Sequence, residues 1–293
     1  MKPYILITPA KDEEEFIENT IQSVISQNHL PMRWIIVNDG SVDRTGDIIK
    51  RYAEKYDFLI PLDRPKDQTR NFGSKATAIK YGYDSIRDLK FEYIGNLDAD
   101  VTFDSTHYEK IIQKFEENEK LGVAAGVRYD NRNGKFIRLT PSSNSAGGPT
   151  QFFRRECYDQ IGGYLPLKFG GIDAVAEVMA RKNGWEVRSF PEIEIYHHRS
   201  TGSAGNNIIK SRFRAGIKYY VIGYHPLFII PFVLSRIKFP PPIITSILLF
   251  AGYFWGTIRH KKEVPDDFVK YLRSEQLNRL RNYFTGSKSN TTI

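Results

Sequence analysis

The first 130 residues alternate short β-branched runs with amphipathic stretches, and this alternation constrains the chain more than any other feature. Strands joined through helices run parallel, so the pattern implies an α/β chain built on a mostly parallel sheet. Tyr4–Thr8 reads as the first strand, and Ile17, Ile21, Val24 and Ile25 recur at helical spacing within Glu13–Gln27. Trp34–Asn38 is the next strand, followed by the turn Asp39-Gly40-Ser41 and a helix that Asp43 or Thr45 can cap. Phe58–Pro61 predicts a short strand, Gly73–Leu89 a helix and Phe91–Leu97 a buried strand, with a further helix and strand at His107–Asn118 and Leu121–Arg128. Residues 130–150 shift to Asn, Gly, Ser and Pro, the composition of a mobile loop beside a site. Helical patterns return at Arg155–Ile161 and Asp173–Asn183, and Glu192–Tyr196 is strand-like.

Charge separates the chain into two parts. The 293 residues carry a net charge of +8, which invites a nucleic-acid partner. From Arg199 onward there are 15 Lys/Arg against 4 Asp/Glu, a balance of +11, and residues 1–198 are left at −3. The basic tail is also rich in aromatic and aliphatic residues, so an anionic membrane surface is expected and nucleic acid is not. Tyr219–Ser235 and Phe239–Ile258 are uncharged runs of 17 and 20 residues, bordered by Arg214, Lys218, Arg236, Lys238, Arg259, Lys261 and Lys262. Pro240-Pro241-Pro242 and the glycines 252 and 256 disfavour a simple span, and one span would leave the basic tail on the wrong side of the membrane. A peripheral or re-entrant helical pair on the cytoplasmic side satisfies the charges, and a buried helical pair is the plainer alternative. Asp266–Phe284 predicts an amphipathic helix. The lone Cys157 excludes a disulfide framework and a cysteine zinc cluster, which fits a reducing compartment, and Met1–Pro9 lacks a secretory leader.

The sharpest chemical signal is Asp98-Ala99-Asp100 at the end of a buried strand. Residues i and i+2 there point to the same side, and two hard oxygen donors suit Mg²⁺ or Mn²⁺ completed by water and phosphate oxygens. Asp12, Glu13 and Glu14 follow the first strand, and Asp39 and Asp43 follow the second. Loops after the carboxyl ends of parallel strands are where α/β sheets bind ligands, so these acids converge on one crevice, where carboxylates can accept from a uracil imide or a ribose hydroxyl. Neither a G-x-G-x-x-G nor a Walker A motif is present.

In this order, these segments resemble the nucleotide-sugar-binding half of glycosyltransferase family 2, the inverting enzymes of GT-A (nucleotide-diphospho-sugar transferase) fold. The resemblance covers about residues 3–200. It implies a GT-A domain over 1–200, with a nucleotide-sugar-binding half at 1–130 and an acceptor half at 131–200, and a basic, hydrophobic helical extension at 201–293. It further implies that Pro9, Glu13 and Asp39 line the nucleoside pocket, that Asp98 contacts ribose or diphosphate and that Asp100 holds the metal. Gly73 to Gly82 is similar to the family's G-K-x-x-A-x-N-x-G segment, with Lys75 approaching the nucleotide and Lys80 where Asn is usual.

The acceptor half of that family carries a Gly-rich turn, Glu-Asp and a helix ending in R-x-x-x-G. Here Gly170-Gly171-Ile172-Asp173 leads to Arg181–Gly184, with Ile172 in place of the glutamate. Direct displacement at an anomeric carbon needs a base for the acceptor's proton; Asp173 is the expected base, or helix N-cap, and Glu177 the fallback. Among His197-His198-Arg199, one histidine, taken as His198, is expected at the metal, with Arg199 pairing to the diphosphate; adjacent strand residues face opposite ways. Arg154 and Arg155 are placed to contact an acidic acceptor or to sit on the surface. The implied function is inverting transfer of a sugar from an NDP-sugar to a lipid-linked or polysaccharide acceptor. A non-catalytic nucleotide- or saccharide-binding scaffold is the alternative, kept open by Ile172 and Lys80.

Overall fold

A computed structural model describes residues 1–64, 73–139, 144–199 and 208–285. The chain divides into one unit of Met1–Pro166 with Ile172–Thr201 and a second of Leu167–Gly171 with Gly202–Ile293.

In the first unit, strand β1 (Tyr4–Ala10) lies between β2 (Arg33–Asn38) and β4 (Tyr93–Asn96), and β3 (Leu59–Asp63) pairs with β2, all parallel. The helices α1 (Ile17–Ile25), α2 (Thr45–Ala53) and α3 (Gly73–Asp84) connect them. Order therefore reverses around β1, and the crevice opens at the carboxyl ends of β1, β2 and β4.

Strand alternation packs both faces of the sheet. Tyr4, Leu6, Trp34 and Ile36 join Ile17, Ile21 and Val24 of α1 in one core cluster. Gly82 of α3 approaches the other face so closely that a Cβ on it would lie 2.9 Å from Ile7 and 3.0 Å from Val37. Burial on both sides explains why these strands read as continuous apolar runs.

Beyond β4 the sheet becomes mixed. β5 (Val101–Thr102), α4 (His107–Glu117), β6 (Leu121–Arg132), β7 (Lys135–Arg138), a 3-10 turn at Gly148–Thr150, β8 (Phe152–Arg154), α5 (Arg155–Ile161), α6 (Ile172–Lys182) and β9 (Glu186–His197) follow in chain order. The described residues form a nine-stranded sheet in the order β3-β2-β1-β4-β8-β6-β9-β5, with β7 off this path and paired to Tyr129–Arg132 at the far end of β6. Residues 130–138, expected as loop, instead form a hairpin: Asn133 and Gly134 take φ of 53° and 82°, and β7 returns antiparallel along β6. Asn-Gly is a strong signal for such a turn. The remainder of that stretch, 140–143, lies outside the described residues.

The second unit is helical: α7 (Ile208–Ile222), α8 (Pro226–Leu234), α9 (Ile244–Arg259) and α10 (Asp266–Thr285). The two long uncharged runs of the sequence are cut short. Gly223, with φ of 95°, ends α7, and the prolines at 240–242 keep the start of the second run out of α9. Among the described residues no helix is long and apolar enough to cross a membrane.

Gly95 in β4 is a tight point of the mixed sheet, where an added Cβ would lie 2.5 Å from Leu6 Cδ2 and 2.9 Å from Phe152 Cδ2. Gly95→Ala is expected to lower unfolding free energy by about 1–3 kcal/mol through overpacking, read from the urea midpoint.

Candidate active site

The loops after β1 and β2 are bonded to each other. Asp12 N donates to Ser41 Oγ (3.1 Å), Val42 N to Asp12 Oδ1 (2.9 Å), Glu13 N to Thr45 Oγ1 (2.8 Å) and Asp39 N to Ala10 O (2.8 Å). This lacing fixes the backbone of Glu13 and Asp39 in the two loops beside half-buried Pro9. Asp39 is buried and accepts from Arg64 Nε at 2.7 Å. The loop after β4 is fixed from behind by Thr20 of α1, whose buried hydroxyl lies 2.8 Å from Ala99 O and 2.9 Å from Val101 O.

Asp98, Asp100 and His197 each offer a ligand atom, and these atoms lie within 4.8 Å of one another. His197, not His198, reaches the acids. β9 pairs with β5 so that His197 sits opposite Val101, which turns its ring inward with Nε2 3.5 Å from Asp100 Oδ1. The neighbouring His198 faces the other way, bonds Thr102 Oγ1 at 2.8 Å and lies against Phe16 and Phe136. Behind His197, its Nδ1 is 3.4 Å from Asp130 Oδ1 on β6. That buried Nδ1 has no hydrogen bond of good geometry, and Asp100 is also buried. Two carboxylates and an imidazole so arranged fit a divalent ion such as Mn²⁺, with Asp130 placed to orient the ring.

Two cations complete the cluster. Arg199 Nη2 is 2.6 Å from Glu13 Oε2 and its Nε is 3.7 Å from Asp100 Oδ2; Lys75 Nζ pairs with Asp98 Oδ1. Burial and then the Asp100 charge push the Glu13 carboxyl up to about 8. Asp100 is also raised, first by burial and next by Asp98. At Lys75 burial works to lower the pKa, but Asp98, Asp173 and Asp100 together hold the ammonium above its ordinary value.

Asp173 stands in the first turn of α6, half-buried. Its Oδ2 lies over Gly148, where an added Cβ would come within 2.5 Å of it. The same turn is tied to the acid pair, since Asp98 N donates to Pro149 O (2.9 Å) and Asn96 N to Gln151 O (2.8 Å). The expected base and the expected metal ligands thus flank one short loop.

The profile of glycosyl transferase family 2 matches residues 5–174, more than half of the chain. The chain belongs to glycosyl transferase family 2. Its fold is GT-A. Among curated relatives, the poly-β-1,6-N-acetyl-D-glucosamine synthase of Staphylococcus epidermidis is 35% identical over 115 residues, which are 39% of this chain and 26% of the relative. The synthase of that name from Staphylococcus aureus strain COL is 33% identical over 115 residues, with the same coverage. The matched stretch is thus about a quarter of these relatives' length. The mannosyltransferase PcManGT from Pyrobaculum calidifontis, solved with GDP-Man and Mn²⁺, superposes with a TM-score of 0.57 at 14% identity over 98% of this chain and 76% of that one. Staphylococcus aureus TarS, solved with UDP-GlcNAc, gives 0.54 at 14% identity over 97% and 92%.

In this family 2 member several residues singled out from sequence lie away from the acids. Arg154 donates to the carbonyls of Phe115, Asn118 and Leu121, and Arg155 to those of Arg87 and Leu89, so both brace the backbone and neither is aimed at an acceptor. Glu177, the fallback base, is buried; its Oε1 accepts from Ser145 Oγ (3.2 Å), Ala146 N (3.1 Å) and Gln151 Nε2 (3.2 Å). It is a strut for the 145–151 loop. Of the two departures from the family pattern, Lys80 pairs with Asp84 on the exposed side of α3, and Ile172 is buried. Arg64, Thr20, Asp130 and Gly148 were not marked by sequence; only Gly148 carried a signal, in the Gly147-Gly148-Pro149 run.

Asp130→Asn is expected to weaken Mn²⁺ binding about 10- to 100-fold by calorimetry, because the His197 ring loses its charged partner. Burial, then Asp173, pushes Glu177 up to about 8 from 4.5. The folded protein therefore retains a proton that the unfolded chain has released between those values, and stability falls as pH rises through this window. Glu177→Gln should flatten that part of the curve of denaturation midpoint against pH, measured from pH 5 to 8.5.

Proposed function

We propose that the protein transfers a sugar with inversion from an NDP-sugar to a saccharide acceptor, polysaccharide or lipid-linked, in cell-envelope polysaccharide synthesis. The observation that carries this reading is the placement of Asp98, Asp100 and His197 on one side of the Gly148–Thr150 turn and Asp173 on the other. The names of the curated relatives and of the UDP-GlcNAc complex make UDP-N-acetylglucosamine the first donor to try.

Asp39, held by Arg64, and the laced loop around Pro9 receive the nucleoside. Mn²⁺ or Mg²⁺ held by Asp98, Asp100 and His197 would offset the charge growing on the departing diphosphate. Arg199 and Lys75 present a planar fork and a point charge to the same oxygens once they exchange carboxylate for phosphate partners. Asp173 accepts the proton of the attacking hydroxyl as the bond to the anomeric carbon forms on the face opposite the diphosphate. Gly148 lets that carboxylate approach the donor side closely.

Asp173→Asn should lower kcat about 10²- to 10⁴-fold while leaving UDP affinity unchanged. Gly148→Ala, which displaces the carboxylate, should lower kcat by about 10² with an unaltered melting temperature. Turnover of radiolabelled UDP-N-acetylglucosamine and a panel of other NDP-sugars measures both. Full activity of a folded Asp173→Asn protein would overturn the assignment of the base.

A further inference from the structure

Helix α9 has inverted polarity. It turns Thr245, Ser246, Gly252 and Gly256 inward, together with Leu249 and Tyr253, and sends a stripe of large apolar side chains outward. Ile244, Ile247, Phe254 and Ile258 recur along that outer side and remain 46–73% exposed. The inner face is small for a structural reason. A Cβ on Gly252 would collide with Phe213 O, and one on Gly256 would lie 2.8 Å from Tyr220, so α7 and α9 meet nearly backbone to backbone. α8 repeats the arrangement: Phe228, Ile229, Phe232 and Val233 join Leu249 and Tyr253 in a core, while Leu227, Ile230 and Leu234 stay 47–60% exposed. Two adjacent helices with outward apolar stripes are far more than the scattered exposed side chains of an ordinary soluble surface.

Charge identifies the partner. Residues 200–262 contain nine Lys/Arg and no Asp or Glu. Arg236 and Lys238 follow α8, and Arg259, Lys261 and Lys262 close α9, so cations sit at the ends of both apolar stripes. Two of them lie against aromatic rings: the Arg236 guanidinium is 4.3 Å from the centre of the Phe232 ring, and that of Arg259 is 5.4 Å from that of Trp255. An apolar band rimmed by cations without interspersed acids matches an anionic bilayer, whose acyl boundary takes the side chains and whose phosphates take the charges. Length sets the mode of contact. At 9 and 16 residues, α8 and α9 reach only about 13 and 24 Å at 1.5 Å per residue, short of a ~30 Å hydrocarbon core.

We infer that α8 and α9 form an in-plane anchor that seats this unit on the anionic cytoplasmic leaflet, with the outer stripes in the headgroup–acyl boundary and the basic helix ends on lipid phosphates. The anchor goes beyond the catalytic reading and does not depend on which sugar is transferred.

Flotation of the full chain with vesicles tests it. The protein should partition onto phosphatidylcholine vesicles containing phosphatidylglycerol and much less onto phosphatidylcholine alone, with binding that weakens as salt rises. Replacing Ile247, Phe254 and Ile258 together by Ser should reduce partition at least about tenfold, and each of Lys238→Ala, Lys261→Ala and Lys262→Ala about fivefold. Brominated lipid should quench fluorescence in a manner lost in Trp255→Phe, since of the other two tryptophans Trp34 is fully buried and Trp185 belongs to the first unit, where its Nε1 donates to Gln160 Oε1. Circular dichroism keeps unfolding from being mistaken for loss of binding, and donor hydrolysis in solution should be unchanged in these variants, which separates this result from the fate of the catalytic reading. Failure of the folded wild type to float at low salt, equal binding by the triple Ser variant, or a dimer that this variant dissolves would overturn the inference.

Discussion

Gathering Glu13, Asp98 and Asp100 at the carboxyl end of the sheet's parallel strands is the constraint around which the first unit is arranged. Carboxylates this close repel one another, and burial raises the cost of every charge. The rise of Glu13 to about 8 records that opposition. The fold answers with Arg199 and Lys75 on the acids and with His197 beside them. It also answers with backbone rigidity: Thr20 pins the carbonyls around Asp100, and the first two loops bond each other. A crevice that repels its own lining attracts divalent cations and phosphate-bearing ligands that bring them.

Much of this arrangement was legible in the sequence because its signals are local. β1, β2 and β4 announce themselves as apolar runs since both faces of the sheet are covered, and Asp98 and Asp100 can be paired because two residues along a strand end share a side. The choice between His197 and His198 was not local. It depends on the register of β9 against β5, where paired residues lie almost a hundred positions apart in the chain. Asp130 and Arg64 are invisible for the same reason: each matters through a partner 67 or 25 positions away. The hairpin at Asn133-Gly134 is a different case, for its turn signal was present but was outweighed by the surrounding polar composition.

The tail shows the limit of composition in another way. Counting uncharged residues gave runs of 17 and 20, lengths near a membrane span. The helices within them are shorter, because Gly223 and the prolines at 240–242 act on backbone geometry that hydropathy does not register. By sequence the glycines of α9 disfavour a span. They are instead the contact surface for α7, and by filling the inner face with backbone they leave the bulky side chains nowhere to go but outward.

The turn at Gly148–Thr150 has a consequence of its own. On one edge it is stitched to Asn96 and Asp98, and through Gln151 and Ala146 it is held to Glu177 on α6, the helix that presents Asp173. Residues more than seventy positions apart in the chain are therefore spaced by a few peptide units acting as a gauge block. Adding or deleting a single residue within this turn would reset the distance between the two ends of the reaction at once.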